Sequence, residues 1–151
     1  MSREILFKAK RKNWRELSKE EWWVEGSYHH QTDYYGESCD KHYIIDGTET
    51  DMEGYGEHYE IDSETFCQYT GLKTKNGNRI WENDIVICNR REKEAKYKVV
   101  WDKTYADFRI EKLNGLGCMP ICIEEGNTPV FGRHYECIGN VFDNPELLKK
   151  Q

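Results

Sequence analysis

The chain has 151 residues, 37% hydrophobic, 33% charged and 13% aromatic, long enough to bury a core without disulfide staples and too aromatic for a disordered chain. It has no run of about 18 apolar residues and no apolar segment leading to a small-residue cleavage site, so it reads as a cytoplasmic protein without membrane contact, whose six cysteines are expected as thiols. The net charge of −6 is unevenly spread: residues 1–20 carry seven basic and three acidic side chains, 21–66 one basic and thirteen acidic, and 67–151 fourteen basic and twelve acidic. The middle third would repel a phosphate backbone, so any basic surface must come from the two ends.

Ile5, Phe7 and Ala9 alternate with Glu4, Lys8 and Lys10, which predicts a first strand. Ser18 and Glu21 have the spacing of a capping box at the start of a one-turn helix. Trp22, Val24 and Tyr28 share a parity opposed to Trp23, Glu25 and His29, giving a second strand over 22–30. Residues 31–57 are rich in Gly, Asp, Glu and Tyr and read as loop, short strand at His42–Asp46, and loop. The glycine-bracketed acidic tract from Gly47 to Gly56 is expected to be mobile, and Glu57–Ile61 to return as a strand.

The punctuation is clearest from Glu64 to Ile87. Asn76-Gly77 predicts a hairpin, because a two-residue turn that matches strand twist needs φ > 0 at both central positions. Glu82-Asn83-Asp84 then makes a second turn into the β-branched Asp84–Ile87 strand. Tyr97, Val99 and Trp101, followed by Phe108 and Ile110, continue an antiparallel meander with one solvated side. Residues 89–94 and 103–107 are its connections. Pro120–Glu124 is an edge strand, 125–132 a loop and His134–Phe142 the last strand. Asn144 then caps a short C-terminal helix with Pro145 at its first position. Trp101, Phe108, Ile85, Ile87, Val99 and Phe142 converge as the expected core.

The motif carried by Glu64-Thr65, Gln68–Lys73, Asn76-Gly77 and Trp81–Val86, with the ending Tyr135–Phe142 and Asn144–Leu148, resembles the YopX family of bacteriophage and prophage proteins. The opening Arg3–Lys8 and Trp23–Gly26 fit the family's start. Asn83 stands where the family usually has Gly, a mild departure because both tolerate φ > 0, and Trp81 where a smaller aromatic is common. Residues 28–59 have no matching counterpart. The resemblance implies a mainly β fold and a phage origin, and no established catalytic residues. The expected architecture is a mainly β, antiparallel meander forming a small SH3-like or related β-barrel, with an N-terminal β layer and a short C-terminal helix. It is one domain over 1–151, or alternatively a layer over 1–63 and a barrel over 64–151.

Each group with chemical potential has a plainer reading. Cys118 and Cys122 could ligate a soft metal with Cys137, His134 or Cys67, but no second close pair exists and structural thiols are expected. Cys39 and His42 are a second such pairing. The Asp46–Glu53 run resembles a calcium loop only in composition, lacking the alternating oxygen ligands. His29, His30 and His134 lack a nucleophile motif or phosphate-binding loop beside them and read as strand-surface residues. Glu82 and Asp84 could form an acid/base pair, whereas a turn aspartate bonding loop N–H groups is the simpler role for Asp84.

With no catalytic signature, cofactor or metal expected, the reading is a non-enzymatic accessory protein acting through protein binding. Its partner would be a host or phage protein met by Tyr34, Tyr35 and Tyr55. The alternative is a nucleic-acid-binding small barrel, using Arg79, Trp81, Arg90, Arg91, Lys93 and Lys96 along one hairpin for stacking and phosphate contacts. A metal-dependent enzyme is the third reading, and self-association fits any of them.

Overall fold

Antiparallel strands make up nearly all the regular structure, joined by tight turns and single 3-10 turns. The computed structural model describes residues 4–50, 56–89, 95–115, 117–121, 123–125, 128–130 and 134–149. They divide into two compact units, Met1–Gln68 and Tyr69–Gln151.

In the first unit, β1 (Phe7–Lys10), β2 (Trp23–Tyr34), β3 (Glu37–Thr50) and β4 (Gly56–Glu60) lie in the order β4-β3-β2-β1. Cys67 and Gln68, which open β5 (Cys67–Lys73), pair with Lys8 and Phe7 on the other side of β1. Ala9, Val24, Ile44 and Ile61 form the core, with Phe7, Tyr59 and Phe66 packed against it.

Lys10 follows Ala9 into this interior and is only 2% exposed. The 3-10 turns Trp14–Glu16 and Lys19–Glu21 fold the connection back, so that the Lys10 ammonium lies 4.0 Å from the Trp14 ring, 4.3 Å from Trp22 and 5.5 Å from Trp23. A desolvated cation over aromatic faces gains about 2 kcal/mol, which offsets part of the burial cost. The Lys10 N–H donates to Thr65 Oγ1 at 2.8 Å, and its carbonyl accepts from Asp62 N–H at 2.9 Å. Ser18 and Glu21 bond each other at 2.9 Å through their side chains rather than capping the backbone.

The stretch 31–57 departs from the expected loop, strand and loop. β2 runs on to Tyr34 and β3 spans 14 residues, making a long two-stranded ribbon. Its tip is a two-residue turn in which Tyr35 (φ 52°) and Gly36 (φ 80°) both take positive φ between the paired Tyr34 and Glu37. That is the turn geometry whose twist suits a hairpin. Asp33 Oδ1 secures it by accepting the Gly36 N–H at 2.8 Å. The turn is hidden in the sequence because a tyrosine rarely adopts the left-handed region. Of the acidic tract 47–56, residues 47–50 continue β3 and Gly56 opens β4. Residues 51–55, Tyr55 among them, lie outside the described residues.

The second unit holds the rest of β5 with β6 (Arg79–Trp81), then β7 (Asp84–Cys88), β8 (Lys96–Asp102), β9 (Asp107–Lys112), β10 (Cys118–Pro120), β11 (Ile123–Glu125), β12 (Thr128–Val130) and β13 (Tyr135–Asn140). Five of these form an open sheet in the order β10-β9-β8-β7-β13, and β11, at the end of the expected edge strand, pairs with β12, which lies inside the stretch expected as a loop. Among the described residues the strands do not close into the expected barrel, since β10 and β13 stay at opposite edges. The predicted antiparallel pairing of β7 with β8 is present, with Ile85 opposite Lys98.

The reversal near Asn76-Gly77 also exists, but as a three-residue connection. Thr74 N–H bonds Asn78 O at 2.8 Å, Gly77 N–H bonds Thr74 O at 3.0 Å, and of the central residues only Gly77 (φ 83°) takes positive φ. This is the turn-plus-bulge alternative for hairpins one residue longer. Asn83 (φ 68°) does occupy the left-handed region, and buried Asp84 accepts the Trp81 N–H at 2.9 Å, as a turn aspartate should. The C-terminal helix is a single 3-10 turn, Pro145–Leu148. Asn144 does not cap it, because its Oδ1 reaches back to the Asn140 N–H at 3.2 Å.

Val86, Cys88, Tyr97, Val99, Phe108 and Ile110 anchor this unit's core with Leu72, Ile80, Ile121 and Tyr135. Ile85 is buried as well, while Ile87 and Phe142 are only half-buried. Trp101, expected inside, is 44% exposed: it is the last residue but one of β8, and the ring meets Phe108 edge-on at 5.0 Å. In urea denaturation, Ile110→Ala is therefore expected to cost about 2–5 kcal/mol, as a core truncation does. Trp101→Ala should cost only about 1 kcal/mol, the worth of one aromatic pair. Equal losses would return Trp101 to the core.

Candidate functional site

The ribbon carries its chemistry on one face. β2 and β3 pair with His30 directly opposite His42, a position that brings cross-strand Cβ atoms to about 5 Å. The imidazoles stack nearly parallel, with centroids 4.3 Å apart and planes 8° from parallel. Asp40, two residues from His42 and so on the same face, places Oδ1 2.6 Å from His30 Nε2 and 3.4 Å from His42 Nε2. On the far side of His42, the Tyr28 hydroxyl lies 2.6 Å from Nδ1. Tyr28 rests in turn on Phe66, with ring centroids 4.7 Å apart, which ties the ribbon's base to the core.

This convergence depends on an irregularity. The turn pairs Tyr34 with Glu37 and Asp33 with Ser38, but Gln31 pairs with Lys41, so three residues of β3 are spent against two of β2. Carried on without that bulge, the register would have set His42 against His29. The bulge also turns Cys39 away, and its thiol donates to the Gln31 carbonyl at 3.4 Å.

The hydrogen bond from His30 holds the Asp40 carboxyl below the ordinary carboxylate range; the adjacent His42 adds to this, and desolvation opposes it. Asp40 and His42 also line an open cavity of about 450 Å³ with Lys12, Arg15, Glu60, Asp62 and Glu64. Its charges are partly paired, with Lys12 2.7 Å from Glu60, and Trp14 Nε1 donates to Asp62 at 3.2 Å. In the second unit a larger recess of about 880 Å³ is lined by Tyr69, Leu72, Lys73, Thr74, Lys75 and His134, among others.

The residues singled out in the sequence fare differently. Tyr34 and Tyr35 stand exposed at the ribbon tip. Trp81 is buried at 4% exposure and packs on Tyr69, so it presents no stacking surface. Arg79 is half-buried, with its guanidinium 5.7 Å from the Tyr69 ring. Lys96 is also half-buried, and Arg90, Arg91 and Lys93 lie outside the described residues. Cys122 does too. Among the described residues, the set His30, Asp40 and His42 meets the spacing a metal ion needs, whereas Cys118, Cys137 and His134 of the second unit form no such set. The residues grouped with His42 are Asp40 and His30, and the Cys39 considered beside it in the sequence is not among them.

Over residues 7–149 the chain matches the YopX protein family. It belongs to the YopX family. The chain is also similar to the crystal structure of protein EF1440 from Enterococcus faecalis, at 21% identity and a TM-score of 0.49 over 98% of this chain and 100% of that one. No curated protein sequence matches it. Among the described residues of this YopX chain, no helix is long and apolar enough to cross a membrane.

The His30–Asp40 contact has a measurable signature. A carboxyl whose folded pKa is depressed keeps its contact above the ordinary Asp range and loses it as pH falls through the lowered midpoint. An NMR titration of the Asp40 carboxyl carbon should place its midpoint below that of an unperturbed Asp, and His30→Ala should move it back up. A midpoint unaffected by His30→Ala would show that the two side chains do not bond.

Proposed function

We propose that this YopX chain is a non-enzymatic accessory protein of phage or prophage origin that works in the host cytoplasm by binding another protein, with the β2–β3 ribbon as its recognition arm. The observation that carries this reading is the ribbon tip, where Tyr35 is 91% and Tyr34 60% exposed. Water is a poor environment for two large rings, and exposed tyrosines on a rigid turn are the kind of anchor that protein interfaces bury. The rings meet edge-on at 4.6 Å and ride on a turn locked by Asp33, so little ordering entropy remains to be lost on docking.

The charge of the arm defines the partner's surface. Asp33, Glu37, Asp40 and Asp46 face only Lys41 in residues 28–46, which favours an apolar cleft with a basic rim. The same charge disfavours nucleic acid, and the burial of Trp81 removes the intended stacking platform from the competing reading.

The test is isolation of the tagged full chain from phage-producing cells, with co-purifying protein and nucleic acid both identified. One protein partner should be recovered in stoichiometric amount, should decrease at higher salt, and should be lost in the Tyr34→Ser/Tyr35→Ser variant while circular dichroism stays unchanged. Recovery of nucleic acid alone, or a partner retained at full yield by that variant, would contradict the proposal.

A further inference from the structure

We infer that His30, Asp40 and His42 form a binding site for one borderline divalent cation of the zinc, cobalt or nickel kind. Two imidazoles and a carboxylate suit these ions, whereas calcium and magnesium ask for oxygen donors throughout. The donor atoms His30 Nε2, His42 Nε2 and one Asp40 oxygen all lie within 4.8 Å of one another. Around a tetrahedral ion with bonds of about 2.0–2.2 Å, donors sit roughly 3.4 Å apart. The His42–Asp40 separation of 3.4 Å already has this value. The His30–Asp40 pair at 2.6 Å must open by roughly 0.8 Å, with the His30 proton on Nδ1 so that Nε2 offers its lone pair. The two rings, stacked with planes 8° from parallel, must also turn until their in-plane lone pairs converge on the ion, which side-chain rotation on an exposed ribbon allows.

Two further features favour an ion here over a hydrogen-bonded triad alone. The first is the contact behind His42: with Nε2 given to the metal, Nδ1 carries the proton and donates it to the Tyr28 oxygen 2.6 Å away. This is the outer contact that orients metal-bound histidines and fixes their tautomer. The second is the backbone, since the ligands come from two paired strands with His30 and His42 already opposite each other. Three protein ligands leave a tetrahedral ion one open position for water or an external donor. An ion so placed would also clip β2 to β3 partway along the arm. The site stands independently of the protein-binding reading.

Metal-stripped full chain, freed of chelator, is titrated with Co²⁺ and followed by visible absorption, then with Zn²⁺ in competition. One equivalent of cobalt should give the d–d bands of a low-symmetry four-coordinate nitrogen and oxygen site, without sulfur-to-cobalt charge transfer, and zinc should displace it. His30→Ala and His42→Ala should each weaken binding by at least about tenfold, Tyr28→Phe by about tenfold, and Cys39→Ser not at all. Circular dichroism confirms that each variant remains folded. Thiolate charge-transfer bands, affinity unchanged in the His30→Ala/His42→Ala double variant, or no binding by the folded chain at millimolar cobalt would each overturn the inference.

Discussion

The candidate site exists because β3 contains one residue more than β2 between the turn and the paired histidines. The turn at Tyr35 and Gly36 sets one register, and the bulge opposite Thr32 shifts it by one before His42 is reached. A one-residue shift in a strand pair exchanges which residues meet across it. Here it pairs His42 with His30 rather than His29, stacks the two rings, and puts Asp40 beside both Nε2 atoms. Tyr28, two residues before His30, follows onto the same face and reaches His42 from behind. Bulges re-aim side chains at functional positions at the expense of regular pairing.

The arm needs a firm base, and the interior of the first unit supplies it. A lysine in a core would ordinarily be a liability, yet three tryptophans surround Lys10 and its backbone is bonded on both sides. Those contacts fasten β1 between the start of β2 and the 62–68 segment. Phe66 and Phe7 stack at 5.0 Å, and Tyr28 leans on both. The aromatic packing thus continues from the caged lysine outward to the first residue of the site. Beyond Tyr28, β2 is mostly exposed, so the outer ribbon holds together through cross-strand pairs rather than a core.

Much of the fold was legible in the sequence, for reasons visible at individual residues. Alternation found β8 and β9, and the motif around Asn83 and Asp84 found the turn into β7, because side-chain parity and φ tolerance are local properties. The expected barrel and C-terminal helix are not what the strands and the tail form, since closure depends on which edges meet and the four residues Pro145–Leu148 make only one 3-10 turn. Trp101 has core parity but stands near a strand end, where parity stops implying burial. The site was the least legible part. Tyr-Gly is a weak turn signal, a bulge leaves no compositional trace, and without both, His29, His30 and His42 look like separate surface residues. Placed around a hairpin, the His30 to His42 spacing would have been informative.

In this account a YopX chain presents an acidic ribbon with an aromatic tip, and partway along it the strands bring two imidazoles and a carboxylate together. The triad stands or falls with the register of β2 against β3 beyond the bulge. The most direct test is nuclear Overhauser spectroscopy of the labelled full chain, reading contacts between backbone protons across the ribbon. Cross-strand contacts joining His30 to His42 and Tyr28 to Ile44, with none joining His29 directly to His42, are the expected result. A His29–His42 pairing carried down the strands would mean that the bulge is absent and that the site does not form.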